Sequence, residues 1–144
     1  MERQDTEGVF TLLVKANGGN VVILNKEDSY KAKFTIENPH AAKQAFKIKS
    51  SANSLFRWSP IYGLLKRGER QEVTIKYKDD GIYDHPPADG LHYLSVSQLG
   101  APYNAPAKGV WEVHRGPPAG LRRIRIRFDA NQSGSGRSSR RERD

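Results

Sequence analysis

The stretch Ala45-Phe46-Lys47-Ile48-Lys49-Ser50 alternates apolar and polar side chains with a period of two residues. Phe46 and Ile48 fall on one face of this stretch, and the two lysines fall on the other. Because successive side chains of a strand point to opposite sides, the pattern predicts a half-buried β-strand. The same period recurs in residues 31–37, 72–78 and 123–128. These segments indicate a sheet protein whose strands each have one apolar and one polar face.

Shorter apolar runs add further strands, and turn residues separate them. We expect these strands over Val9–Val14, Val21–Leu24, Leu55–Trp58 and His92–Leu99. Clusters of Gly, Asn, Asp and Pro at 17–20, 38–39, 67–69 and 79–81 mark the turns. No segment keeps a long helical period, and the stretch around Val110–Val113 has room for a helical turn or two at most. The chain is therefore predicted to be all-β, an antiparallel sandwich of seven or eight strands.

Composition and charge narrow the class of protein. The 144 residues carry 24 Lys and Arg against 16 Asp and Glu, a net charge of +8, and they include no cysteine. Residues 121–128 hold four arginines and no acid, which is half of that net charge. Disulfides and cysteine-ligated metals are excluded, and no run approaches the ~20 apolar residues of a membrane-spanning helix. Since the first residues lack the apolar core of a signal peptide, we expect a cytoplasmic protein.

The chain divides by composition into three parts. Residues 131–144 are rich in Ser, Gly and Arg and contain no apolar side chain, so they cannot offset an ordering cost of about 1–2 kcal/mol per residue. We predict a flexible N-terminus over residues 1–8, a β-sandwich domain over 9–130 and a disordered basic tail over 131–144.

Three motifs between residues 36 and 75 carry a resemblance to a known family. They are Ile36-Glu37-Asn38-Pro39, Phe46-Lys47-Ile48-Lys49-Ser50-Ser51, and Pro60-Ile61-Tyr62-Gly63-Leu64-Leu65-Lys66-Arg67-Gly68 leading into Val73-Thr74-Ile75. In this order and spacing they resemble the major sperm protein (MSP) domain family, which includes nematode sperm cytoskeletal proteins and membrane-tethered VAP adaptors. The resemblance covers about Phe10–Asp129, and its closing segments are closer to the sperm-type branch. It implies an immunoglobulin-like seven-stranded antiparallel sandwich. It also implies a cis-proline at Pro60, so we hypothesise a cis Ser59–Pro60 bond.

The resemblance further implies a peptide site. VAP domains hold a peptide with an acidic tract and a phenylalanine, the FFAT motif, on a basic face. Carried over to this chain, the lysine- and threonine-bearing strand of that site corresponds to Lys47, Lys49, Ser50 and Ser51. Two later positions have changed, to Tyr93 and Ser95, and a last lysine corresponds to Arg123 or its neighbour. The alternative is that the lysines form only the solvated face of an amphipathic strand.

A second candidate site is a ridge of arginines near the C-terminus. Arg123, Arg125 and Arg127 share one strand face at intervals of about 6.6–6.8 Å. Their mutual repulsion would be offset by an acidic partner. The alternative is that they protect an exposed sheet edge from pairing with other chains.

The sequence contains few residues in patterns typical of an enzyme active site or a metal site. Acids and histidines cluster at Asp79, Asp80, Asp84, His85, Asp89 and His92, but their spacing does not match a calcium loop, and turn structure explains them better. No nucleophile elbow, P-loop or His-Glu-x-x-His motif occurs. We therefore expect no catalytic residue, no metal and no cofactor.

Three functions remain open at this stage. The first is a non-enzymatic interaction module of the MSP family, a cytoskeletal component of nematode sperm type that self-associates or binds protein partners. The second is an adaptor without a membrane anchor that binds acidic FFAT-like peptides. The third is binding of RNA or an anionic membrane through the arginine ridge and the basic tail. Nucleic acid is the least favoured of these partners because exposed aromatic residues do not accompany the arginines.

Overall fold

The structure is a computed structural model that describes residues 5–78, 91–102 and 104–129. These residues form ten strands, one short helix and one 3₁₀ turn at Lys26–Asp28. The strands are β1 (Thr6–Gly8), β2 (Leu13–Ala16), β3 (Val21–Asn25), β4 (Lys31–Glu37), β5 (Gln44–Ser50), β6 (Phe56–Ser59), β7 (Tyr62–Leu65), β8 (Arg70–Tyr77), β9 (Tyr93–Gly100) and β10 (Gly120–Asp129). Helix α1 (Ala107–Val113) precedes the last strand and matches the helical turn or two predicted there.

Two sheets face each other in the sandwich. Sheet A has the order β1-β10-β9-β5-β7, with β3 also paired to β10, and sheet B has the order β2-β4-β8-β6. The pairs are antiparallel except for β3 with β10, which run parallel. The predicted sandwich is confirmed, but the described residues divide among ten strands instead of seven. Successive strands alternate between the two sheets from β1 to β9, and only β9 and β10 follow each other within one sheet.

The alternating segments build the core as predicted. The inward positions of β4, β5, β8 and β10 are almost completely buried, because each strand turns its apolar face toward the opposite sheet. Each of these side chains contributes about 1.5–3 kcal/mol by leaving water. Strands β3, β6 and β9 add to this core, and the largest fully buried side chains of the described residues are Phe34, Phe46, Phe56, Leu24, Ile36, Ile48, Ile75, Leu94, Ile124, Ile126, Val22 and Val73.

The N-terminal region differs from the prediction in two ways. A strand was expected over Val9–Val14, but β2 begins only at Leu13. The backbone N–H groups of Thr11 and Leu12 instead donate to the side-chain oxygen of buried Gln98, at 2.8 and 3.3 Å. Residues 1–8 were expected to be flexible, yet Thr6–Gly8 forms β1 along β10. The expected tail, residues 131–144, lies outside the described residues.

The side chain of Asn38 joins the end of β4 to the end of β7. Buried Asn38 donates from its amide nitrogen to the carbonyl oxygens of Leu65 and Ala42, at 2.8 and 3.0 Å. The Ser59–Pro60 peptide bond is cis, as hypothesised. Strand β7 begins two residues after this proline.

Helix α1 covers one end of the outer face of sheet A. Its Val110 is buried with Ala45 of β5 and Leu99 of β9 in a small cluster separate from the main core. Trp111 packs against this cluster, and its indole N–H donates to the carbonyl oxygen of Phe46 at 3.2 Å. The helix therefore marks the limit of the part of the outer face of sheet A that is not covered by α1. No helix of the described part of the chain is long and apolar enough to cross a membrane.

Candidate partner-binding face

The two predicted lysines lie on the outer face of sheet A. Alternation along β5 buries Phe46 and Ile48 and turns Lys47 and Lys49 outward, so that Lys49 is exposed and Lys47 is half-buried. The Lys47 ammonium stands 5.6 Å from the centroid of the Tyr62 ring on β7, a cation–π contact. Within the described residues, neither lysine forms an ion pair.

The two serines that the resemblance brought into the site do not join the lysines. Ser50 is paired with Leu94 on the inward-facing side of β5, and its hydroxyl accepts a hydrogen bond from the Ala52 N–H at 2.9 Å. The Ser51 hydroxyl accepts from the Tyr93 N–H at 3.0 Å and lies 3.2 Å from Nδ1 of His92. Both hydroxyls therefore help to fasten the end of β5.

Two arginines of the ridge lie on the same face as the lysines. In the sheet register Lys49, Ser95 and Arg123 form one row across β5, β9 and β10, so Lys49 and Arg123 are about 10 Å apart across one intervening strand. Arg125 lies opposite Tyr93. The Tyr93 ring centroid is 5.6 Å from the Arg123 guanidinium and 5.1 Å from that of Arg125. We call the set Lys47, Lys49, Ser95, Arg123 and Arg125 the basic face.

The acidic partner expected for the arginine ridge comes from this chain itself. Arg123 donates to a Glu7 carboxylate oxygen at 2.5 Å. Arg125 donates twice to one Asp5 oxygen, at 2.5 and 3.1 Å. The hydrogen bond to Glu7 raises the pKa of Arg123 above its ordinary value, against the opposing effect of burial. The ridge thus has less charge to offer an external partner than its sequence suggested.

Arg127, the third residue of the ridge, stands apart from the first two. It is exposed on β10 opposite Ile23 of β3, beyond the reach of β1. Since β10 pairs with β9 on one side and with β1 and β3 on the other, it is an interior strand. Edge protection therefore does not explain the arginines.

Sequence reasoning missed the roles of Asp5, Glu7 and Tyr62. One signal was present, because Asp5-Thr6-Glu7 has the same two-residue period as Arg123-Ile124-Arg125. It could not be used without knowing that residues more than a hundred positions apart become neighbours.

Metal ligands are not brought together in the described part of the chain. No group of three or more His, Asp or Glu residues there could hold an ion. Of the acid and histidine cluster considered in the sequence, only His92 is described, and the others lie outside the described residues. The His92 ring packs edge-on against Phe56 at 5.7 Å.

A β-sandwich with a basic face and open sheet edges has the kind of surface on which protein-interaction domains bind extended segments of their partners. A family model described as the MSP (Major sperm protein) domain matches residues 14–108. The chain therefore belongs to the MSP domain family, as the sequence motifs indicated. MSP domains are non-enzymatic interaction and structural folds.

Solved structures agree with this assignment. SSP-19, an MSP-domain protein-like family member of Caenorhabditis elegans, is 26% identical over 69% of this chain and 86% of its own, with a TM-score of 0.56. WR4, a C. elegans MSP family member, is 17% identical over 84% and 98%, with a TM-score of 0.61. These two neighbours are consistent with the nematode branch. The E. coli chaperone DraB shares the fold alone, at 16% identity over 81% and 53% with a TM-score of 0.54. No curated protein matches the chain by sequence.

Proposed function

We propose that this MSP domain is a non-enzymatic adaptor that binds an acidic segment of a protein partner on its basic face. The observation that carries the proposal is the contrast between the two halves of that face. Arg123 and Arg125 are held by Glu7 and Asp5, whereas Lys47 and Lys49 have no acidic partner among the described residues. An acidic segment would compensate the positive charge of the two lysines without displacing a carboxylate that is already bound to them.

The surroundings of the lysines favour an extended segment. Strand β7 is the edge of sheet A next to β5, so the backbone groups on its outer side have no neighbouring strand in the described residues. A segment running along this edge could pair with β7 while its acids reach the lysines. Backbone pairing would supply affinity, and the lysines would supply selectivity for acids and a faster association rate.

Fluorescence anisotropy with a labelled acidic FFAT-like peptide tests the proposal. We expect saturable binding that Lys47→Gln with Lys49→Gln weakens by about 2- to 30-fold, since each exposed pair is worth about 0.2–1 kcal/mol. Lys31→Gln with Lys76→Gln is the matched control, because it removes the same charge from sheet B. An absence of saturable binding, or an equal loss in the control, would overturn the proposal.

Self-association as a cytoskeletal component is the second candidate, and a different surface favours it. Leu13 on edge strand β2 is 54% exposed, and nearby Val9 is 69% exposed. Two copies that paired along β2 would cover this apolar edge, and repeated contacts of a non-closing kind would build a filament. The C. elegans relatives support a nematode setting for this function.

The oligomeric state as a function of concentration tests this second candidate. In light scattering, the average particle mass of the wild type should increase with protein concentration, whereas Leu13→Asp should remain a monomer. Val113→Asp is the control, because Val113 is 76% exposed on α1, away from β2. A wild-type monomer at every accessible concentration rules the candidate out.

A further inference from the structure

Three cations stand directly opposite one another on the outer face of sheet B. Lys31 of β4 pairs with Lys76 of β8, and Lys76 pairs in turn with Arg57 of β6. All three side chains are exposed on the same face, because residues in register share a face of the sheet. We call Lys31, Lys76 and Arg57 the cationic row.

The cationic row is uncompensated within the described residues. Like charges directly opposite in a sheet repel each other, and no ion pair there involves any of the three. The neighbouring part of the same face shows the ordinary arrangement, since Lys33 is paired with Glu72 at 3.4 Å. The sheet therefore carries one locally unfavourable row beside a compensated one, which is expected where an external anion supplies the missing charge.

The row borders a depression of about 820 Å³, within the size range of small-molecule sites. Arg57 and Lys76 line it, two more lysines add to its positive charge, and hydroxyl groups supply further hydrogen-bond donors. No described carboxylate lines it. The remaining lining residues are Lys26, Lys78, Ser29, Tyr30, Ser54 and Tyr77.

The rim of the depression is held in place by the fold. Ser29 and Tyr30 are consecutive non-glycine residues in the left-handed region, at φ 58 and 55°. The Tyr30 N–H donates to the Asn25 carbonyl at 2.8 Å, and the Tyr77 N–H donates to the Tyr30 carbonyl at 3.0 Å. The Tyr30 ring packs edge-on against Tyr77 at 5.8 Å. Residues in this unfavourable conformation persist where surrounding contacts over-determine them, and they concentrate at ligand sites.

We propose that this depression binds a compact polyphosphate group, meaning several phosphates on one small ring, either free or as the headgroup of a lipid. Lysine, arginine and hydroxyl donors converging on a concave surface suit phosphate oxygens, which accept several charge-assisted hydrogen bonds at once. The Tyr30 and Tyr77 rings pack against each other and Phe128, so they form no open platform for stacking bases. A single-stranded nucleic acid is therefore the less suitable ligand.

Two experiments test the proposal. The first is calorimetric titration with inositol hexakisphosphate. The second is co-sedimentation with phosphatidylcholine vesicles that either contain or lack phosphatidylinositol bisphosphate. We expect saturable binding at about 0.15 M salt that Arg57→Gln with Lys76→Gln weakens by about tenfold or more. Lys47→Gln with Lys49→Gln removes equal charge from sheet A and should change the affinity by less than about twofold. Since sites and ligands differ, this result is independent of the acidic-peptide experiment.

Thermal unfolding of the same variants separates binding from folding. Because Arg57→Gln with Lys76→Gln relieves repulsion, its Tm should equal or exceed that of the wild type. Arg57→Lys keeps the charge and should keep most of the binding. If the protein binds both the free compound and the vesicles that contain phosphatidylinositol bisphosphate, the ligand is a lipid headgroup. If it binds the free compound alone, the ligand is a soluble polyphosphate. Failure to bind either, equal losses in both double variants, or tighter binding of mixed-sequence RNA would overturn the proposal.

Discussion

Replacing Gly63 by alanine would place a methyl group inside the ring of Phe46. Gly63 on β7 lies in register with Phe46 on β5, and a Cβ there would stand 2.2 Å from Cε2 and 2.3 Å from Cζ of the ring. The ring is completely buried, so it has no open space to move into. Overpacking of this kind costs about 1–3 kcal/mol, and the lower entropy of the unfolded alanine chain returns about 0.4–1 kcal/mol. We expect a net loss of about 1–2 kcal/mol in the free energy of unfolding.

Urea unfolding at constant pH measures this loss, and Gly100→Ala is the matched control. Gly100 also lies in sheet A, but a Cβ there would meet nothing within 4 Å. We expect that variant to be neutral or more stable by up to about 1 kcal/mol. Combining Gly63→Ala with Phe46→Leu should show a coupling of about 0.5–3 kcal/mol, because the smaller side chain makes room for the methyl. Equal stability of the two alanine variants, or strict additivity in the combination, would refute the reasoning.

Three further predictions concern buried polar groups and the basic face. Asn38→Ala should lower the free energy of unfolding by about 2–4 kcal/mol in urea unfolding, because it removes three side-chain hydrogen bonds at a completely buried position. Gln98→Leu should cost about 1–3 kcal/mol and speed hydrogen exchange at the Thr11 amide, which loses its acceptor. Asp5→Asn with Glu7→Gln should cost less than about 1 kcal/mol per ion pair and should tighten acidic-peptide binding in the anisotropy assay, because it frees two arginines. Unchanged or weaker peptide binding would contradict the last prediction.

The alternation of apolar and polar residues correctly predicted features that depend only on neighbouring residues in the sequence. Strand β4 has the predicted bounds, Lys31–Glu37, because its alternation is regular and turns flank it. The outward placement of Lys47 and Lys49 followed in the same way. The backbone hydrogen bonds accepted by the Ser50 and Ser51 hydroxyls could not be predicted in this way, because they form where the strand ends.

Features that depend on distant parts of the chain could not be predicted. The missing strand at Val9–Leu12 results from the side chain of Gln98, which satisfies backbone groups more than eighty positions away. The pairing of β1 with β10 brings Asp5 and Glu7 to the arginines in the same long-range manner. The cationic row likewise exists only through the register of three strands, and its members are not close in sequence.

The central claim is that the outer face of sheet A binds an acidic segment of a partner. Mapping of ¹⁵N amide chemical shifts during titration with an acidic FFAT-like peptide tests it most directly. We predict saturable shifts concentrated in β5 and β7, including the amides of Lys47 and Lys49, that are lost when both lysines are replaced by glutamine. Shifts concentrated on sheet B, or none at peptide concentrations that saturate other acidic-peptide binders, would contradict the claim.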